Sequence, residues 1–525
     1  MKIVISSRYL AFPVSYTAQN KTVLFYQDGQ LVLDLAVQLD PVRPELEQYA
    51  DMAPFLGATL DIRCEPAVDW TPTLRDTLPA EGVYGERLRP QAHFSAARGW
   101  INDPNGLFWY AGMYHLFFQH NPVGSVWGNM HWGHAVSSDL LHWQEREIAL
   151  FPDERGTMFS GSAVVDFDNR SGLQEGDDPA ILLFYTAAGG TSRLSEGQSF
   201  TQCLAYSTDG GQTFRKYAHN PLVPWQADNN RDPKVVYHAA SDAYFLALYL
   251  TEQRFALFRS ENLLDWQLTQ EIRLPEDAEC PDFYPLLLDG EEKWVFSGAA
   301  DRYLVGTLKN GVFVPEQPAR RLHYGTNSYA AQTFSNLPES GRMIRVAWNT
   351  SPLPQMPFQS AMCIPTDMML KRIDGEVHLC TWPIRELEQL ERDTRTADAR
   401  VEAGDVWTQP LHGVAQDVQL TLCAEQDTPF RLSLFGLEIW VLPAENRLLC
   451  KDCTMPLYVR QGTLRLRLLT DTNAVEIFAD EGEAHACIAH IADFSLPRLE
   501  LRAENAAVRL TARVSGLETI WNKEQ

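Results

Sequence analysis

Trp100-Ile101-Asn102-Asp103-Pro104-Asn105-Gly106 is the stretch on which the reading of this chain turns, and it runs straight into the apolar segment Leu107-Phe108-Trp109-Tyr110. Asp-Pro and Asn-Gly are strong turn dipeptides, so the pattern predicts a turn with an aromatic strand on its far side. Such a turn puts Asn102 and Asp103 at a strand end, facing a shared opening. A carboxylate between a large aromatic and a rigid proline is well placed for chemistry on a neutral, polyhydroxylated substrate. The competing reading of an isolated Asn-Asp-Pro is a turn aspartate that hydrogen-bonds its own backbone. The rest of the chain decides between the two.

Outward from this stretch, residues 90 to 385 alternate short apolar runs with Gly, Asn, Asp and Pro turns and show almost no helical periodicity. One unit recurs. His131-Trp132-Gly133-His134-Ala135-Val136 leads into Ser137-Ser138-Asp139-Leu140-Leu141-His142-Trp143. Cys203-Leu204-Ala205-Tyr206 leads into Ser207-Thr208-Asp209-Gly210-Gly211-Gln212-Thr213-Phe214, and Phe255-Ala256-Leu257-Phe258-Arg259 into Ser260-Glu261-Asn262-Leu263-Leu264-Asp265-Trp266. Each time a strand ends in Ser, an Asp or Asn makes the turn, and an aromatic opens the returning strand. The Asx side chain bonds the turn backbone and the aromatic packs between sheets. Repeats of one hairpin at blade-like spacing predict a β-propeller.

On the N-terminal side, residues 1–85 read as a small β-rich module. Thr22-Val23-Leu24-Phe25-Tyr26 and Leu31-Val32-Leu33-Asp34-Leu35 flank a Gly-containing turn as a hairpin, and Ala58 to Arg63 reads as another strand. On the C-terminal side, 389–400 is charged and helix-compatible and reads as a linker, while 401–525 returns to β patterning, with Leu464-Arg465-Leu466-Arg467-Leu468 alternating cleanly.

Composition narrows the partners. The formal net charge is -24, and an acidic surface repels phosphate backbones and anionic lipid, which excludes nucleic acid and membrane as partners. No apolar run approaches membrane-spanning length. The N-terminus lacks an apolar leader segment, which predicts a cytoplasmic protein with reduced thiols. Cys450-Lys451-Asp452-Cys453 is not followed by a second pair at zinc spacing, so no metal and no cofactor are expected. The oligomeric state is open at this level.

Trp100 to Gly106 resembles the N-terminal signature of glycoside hydrolase family 32, the invertase, inulinase and levanase family, whose Asp in this motif is the catalytic nucleophile. Further motifs follow in the family's order. Phe117-Phe118-Gln119-His120-Asn121-Pro122 and the run Val126 to His134 resemble its second block, and Phe159-Ser160-Gly161-Ser162 its third. Asn230-Arg231-Asp232-Pro233 is similar to the Arg-Asp-Pro motif, whose Asp stabilises the transition state; in the residues themselves, Arg231 favours an ionised Asp232. Ala278-Glu279-Cys280-Pro281-Asp282-Phe283 resembles the Glu-Cys motif, whose Glu is the general acid/base. Asp282 is a rival acid, but only Glu279 matches the family position. Val346-Ala347-Trp348 resembles a late strand that contributes a Trp.

The resemblance implies an all-β chain: a five-bladed β-propeller over 86–388, a C-terminal β-sandwich over 401–525, and the small module ahead of them. It further implies that Asn102, Gln119, Trp127, Phe159, Ser160, Arg231 and Trp348 line a fructose subsite, with Asp103, Asp232 and Glu279 as the catalytic carboxylates. The expected reaction is release of terminal fructose from a carbohydrate partner (sucrose, fructo-oligosaccharide, inulin or levan) with retention. Retention expects Asp103 and Glu279 carboxyl groups about 5 to 5.5 Å apart. A fructosyltransferase using the same intermediate and a non-catalytic sugar-binding propeller are the alternatives. Asn327-Ser328 stands where the family usually has Asp-Phe, which points to an altered pocket rim.

Overall fold

The computed structural model describes residues 1–521. Among them, regular structure is strand with only short 3-10 turns. Five consecutive antiparallel sheets of four or five strands occupy the middle of the chain. Their first strands are Gly99–Tyr110, Thr157–Asp166, Arg231–His238, Asp282–Leu288 and Ser328–Thr333. These first strands contact one another in order, and the last returns to the first, closing a ring around an axis. Phe358–Gln359 seals it by pairing in parallel with Gly99 and Trp100.

The repeated hairpin is the outer corner of three of these sheets. Ser137, Ser207 and Ser260 end third strands, and their hydroxyls lie 2.9, 2.6 and 3.2 Å from the side-chain oxygens of Asp139, Asp209 and Asn262. Each of those oxygens accepts backbone N–H groups of the turn, for example from Leu141 and His142. Trp143 and Trp266 then cap the corner, each indole N–H donating to the carbonyl three residues earlier, at 3.0 and 3.1 Å. The Asx oxygen thus replaces hydrogen bonds that the ladder gives up where the chain reverses.

Ahead of the ring, Lys21–Gln27 and Gln30–Val37 form the expected hairpin, within a four-stranded sheet that packs with a three-stranded one on a common apolar core. Behind the ring, two six-stranded antiparallel sheets share an apolar core. The expected linker at 389–400 is not one: Arg385–Leu390 makes a 3-10 turn, and Glu391–Val401 is a strand paired with Val508–Leu517. It is an edge strand, and charges on an edge keep it from pairing with another chain; that charge density is what reads as helix-compatible. Cys450 and Cys453 face each other across a two-residue turn and pack into the same apolar core.

Buried polar contacts join this region to the ring. Asp471 accepts backbone N–H groups of Gln91, Ala92 and His93, and the His93 ring lies 2.8 Å from Asp471 and 2.9 Å from Glu476. Burial alone would lower the His93 pKa, but the two carboxylates overcome it and push it up to about 10.

Candidate active site

The Trp100–Gly106 stretch is not a turn. It lies wholly inside the twelve-residue strand Gly99–Tyr110. Ile101 faces His120 and Pro104 faces Phe118, so Asn102 and Asp103 together oppose the single residue Gln119. This is a β-bulge. Pro104 brings no N–H to the ladder, so the irregularity belongs beside it.

The same device recurs around the ring. Ladders shift register between Phe159 and Gly161, between Arg231 and Lys234, and between Tyr329 and Gln332. Ser160, Asp232 with Pro233, and Ala330 with Ala331 are the residues left over. Ahead of the remaining inner strand, Glu279 and Cys280 take φ of 43° and 39°, and Asp232 takes 66°. Non-glycine residues in the left-handed region carry strain, which the surrounding structure must hold in place. Each irregularity turns a side chain into one end of the ring's axis.

There the ten residues singled out in the sequence, Asn102, Asp103, Gln119, Trp127, Phe159, Ser160, Arg231, Asp232, Glu279 and Trp348, line a single cavity of about 480 Å³. Asp103 accepts from Ser160 Oγ at 2.6 Å and from Asn102 Nδ2 at 3.1 Å. Asn102 is itself oriented by the Trp100 indole N–H at 3.0 Å. The Cys280 thiol sits 3.4 Å from an oxygen of Asp103 and 3.4 Å from an oxygen of Asp232, and the Cys280 backbone N–H donates to Asp232 at 2.9 Å.

Arg231 departs from expectation. It was expected to hold Asp232, but its closest grip is on Glu279, with Nη2 and Nε donating to Oε2 at 2.8 and 3.2 Å; Asp232 is 3.6 Å away. The bulge explains this, because it turns Asp232 back toward Cys280 while Arg231 stays in register and packs over Tyr249. One guanidinium therefore serves two carboxyl groups, Glu279 and Asp232. Burial pushes Asp103 up, and it pushes Asp232 up to about 7 against the pull of Arg231, with the other two carboxylates adding to the rise. Asp232 therefore holds its proton above the usual carboxylate range.

Sequence reasoning missed Tyr329, whose hydroxyl donates to Glu279 Oε1, and also Phe200, Thr191 and Asn229 on the cavity wall. Tyr329 follows the quoted Asn327-Ser328 pair, and an aromatic at the head of an inner strand was the available signal. Asn327 itself does not line the cavity. Its Oδ1 accepts from Ala489 N–H at 3.0 Å and its Nδ2 donates to Thr350 at 3.1 Å, so this departure from the family pattern fastens the ring to the C-terminal sheets. Asp282, the rival acid, is buried, 3.0 Å from Lys234 and accepting the Thr333 N–H at 2.7 Å. Two buried donors that line the cavity, Gln119 Nε2 and Trp348 Nε1, have no partner among the described residues. Native structures rarely leave such groups unpaired.

With this geometry in hand, comparison with known proteins is decisive. The family described as "Glycosyl hydrolases family 32 N-terminal domain" matches residues 93–383. The chain belongs to glycoside hydrolase family 32. It is 32% identical over 493 residues to a levanase of Bacillus subtilis, covering 83% of this chain and 72% of the levanase. It is 34% identical over 352 residues to an extracellular exo-inulinase of Aspergillus niger, covering 57% of this chain and 65% of that protein. The crystal structure of an exo-inulinase from Aspergillus awamori superposes with a TM-score of 0.77 at 26% identity, covering 85% of this chain and 100% of the other. The family-32 protein is accordingly a glycosidase with a β-propeller and a β-sandwich.

Proposed function

We propose that this family-32 glycosidase releases terminal fructose from β-D-fructofuranosides with retention of configuration. The observation that carries the reading is the meeting of Asp103, Asp232 and Glu279 in one cavity, tied together by Ser160, Cys280 and Arg231. In this reading the five sheets of the ring are five blades, the cavity is the mouth of their axis, and residues 1–85 are a separate module.

Asp103 attacks the anomeric C2 of fructose, forming a C2–O ester while the bond from C2 to the leaving oxygen breaks. Glu279 delivers its proton to that oxygen. Water then enters, Glu279 takes a proton from it, and attack at C2 breaks the ester and frees Asp103. Asp232 accepts from ring hydroxyls and favours the positive charge that develops at the ring. Gln119 and Trp348 donate to fructose hydroxyls, while Trp127 and Phe159 offer faces to its carbons. The names of the relatives make levan and inulin the first substrates to try, beside sucrose.

The test is fructose release from sucrose, inulin and levan by the parent and by Asp103→Asn. A parent that frees no fructose from any of them overturns the reading. Capture of the same intermediate by a sugar hydroxyl would give transfer; oligosaccharide accumulation at high sucrose distinguishes it from hydrolysis. A purely binding role is disfavoured, because burying several carboxyl groups around one guanidinium costs stability that a lectin has no need to give up.

A further inference from the structure

The cavity's aromatic wall is a row. Trp127 meets Phe159 edge-on at 5.8 Å, and Phe159 meets Phe200 edge-on at 5.5 Å. Phe159 sits on an inner strand, but the two ends of the row sit on loops. Trp127 is 54% exposed, on the loop between strands Met113–Asn121 and His131–Ser137. Phe200 ends the segment joining Ala180–Ala188 to Thr201–Ser207. The ladder pair Ala187–Thr201 and Asn230, whose Nδ2 donates to the Phe200 carbonyl at 3.1 Å, hold the Phe200 end, while the loop ahead of it, 189–199, lies outside the ladders.

The N-terminal sheet reaches both. Gln30–Val37 is its edge strand. Leu33, Leu35 and Val37 are buried in the module core, so Asp34 and Ala36 point the other way. Asn129 uses its side-chain amide as a substitute strand on that open edge: Nδ2 donates to Ala36 O at 2.8 Å and Oδ1 accepts from Ala36 N at 2.8 Å. The same Nδ2 lies 3.1 Å from Asn121 Oδ1, and Asn121 Nδ2 donates to the Val126 carbonyl at 2.9 Å, next to Trp127. Val123 of this loop is fully buried in the module core. Two residues earlier on the edge strand, Asp34 accepts from Arg193 N–H at 2.9 Å and from Leu194 N–H at 3.0 Å, gathering the loop that leads to Phe200.

We infer that the N-terminal sheet is a brace for the substrate-binding wall: Asp34 and Asn129 are positioning residues that hold in place the loop leading to Phe200 and the loop carrying Trp127. This rests on the fructosidase reading above. The edge strand that a free module would leave open to aggregation is occupied by the loops of the site. A side chain that orients binding groups without touching the reacting atoms changes ground-state and transition-state binding alike, so its loss shows in KM and not in kcat.

The experiment compares Asp34→Ala, Asp34→Asn and Asn129→Ala with the parent, on whichever of sucrose, inulin or levan the parent turns over fastest. Asp34→Ala and Asn129→Ala are expected to raise KM about five-fold or more with kcat within about two-fold of the parent. Asp34→Asn, which keeps one of the two acceptors, falls between. In the folded Asp34→Ala protein, amide exchange quickens at 189–200 and stays at the parent rate along the inner strands. If Asp34→Ala does not fold, Asn129→Ala carries the same expectation from the other end of the row. An active parent whose variants keep its KM, or lose kcat at unchanged KM, overturns the brace alone. A parent inactive on every fructoside overturns the fructosidase reading, and the brace with it.

Discussion

Arg231 reaches across the site to Glu279 more closely than to its own neighbour in sequence: Nη2 stands 2.8 Å from Glu279 Oε2, while Nε stands 3.6 Å from Asp232 Oδ2. The guanidinium lowers the Asp232 pKa against burial and two other carboxylates. Arg231→Met removes that pull. Proton loss from the cluster then moves to higher pH, and the acidic limb of kcat/KM, which needs Asp103 and Asp232 ionised, should move up by about one unit or more. A pH–rate profile with an unmoved acidic limb would show that Arg231 does not set the cluster's charge.

Asp103→Asn tests the nucleophile and its cost together. The amide cannot form the ester, so kcat should fall by about a thousand-fold or more. It also removes a buried carboxylate whose pKa is already raised by burial and by Glu279. The variant should therefore melt no lower than the parent, and a gain of about 1 kcal/mol in urea unfolding is expected. Activity lost together with stability would instead mean that Asp103 is structural.

The pattern of strands and turns made the all-β class and the repeated corner legible, because Ser, Asx and aromatic residues at fixed offsets each do a local job that the structure shows at Ser137, Asp139 and Trp143. The site residues were legible as motifs but their geometry was not. Asp103-Pro104 and Asp232-Pro233 look like turns, since Asp-Pro marks turns in most contexts; here the prolines mark bulges, which depend on a partner strand far away in sequence. Arg231's choice of Glu279 is likewise invisible in a run where Asp232 stands next to it. The edge strand Glu391–Val401 was missed because alternating charge fits an exposed helix and a solvated edge equally well.

His93 ties the ring to the C-terminal sheets, and its linkage has a definite sign. Its pKa in the fold, about 10, lies above the ordinary 6.5. The stabilisation it provides is therefore complete below 6.5 and fades as pH climbs through 10. His93→Ala leaves Asp471 and Glu476 buried without the imidazolium between them, Glu476 keeping only His485 at 3.0 Å, and should cost about 3 kcal/mol at neutral pH. Urea melts from pH 6 to 10 check both points: the parent loses stability across that range, and a His93→Gln variant lacks this part of the slope. A parent with flat stability over the window would mean that His93 is neutral in the fold.

Gln119 Nε2 and Trp348 Nε1 are buried donors at the cavity with no partner among the described residues. An unpaired buried N–H lowers stability unless a ligand completes it. Trp348→Phe removes the indole N–H and keeps an aromatic face against Trp100, its edge-on neighbour at 5.8 Å. Folding should be unchanged or slightly improved, because an orphan donor has gone. Binding should suffer, because a fructose hydroxyl has lost its donor: kcat/KM falls by about ten-fold, as expected for one hydrogen bond of about 1 to 1.5 kcal/mol. Gln119→Leu should behave the same way. The opposite pairing, a less stable protein with unaltered kcat/KM, would make these two side chains part of the packing and leave the sugar to be recognised by the carboxylates and Asn102 alone.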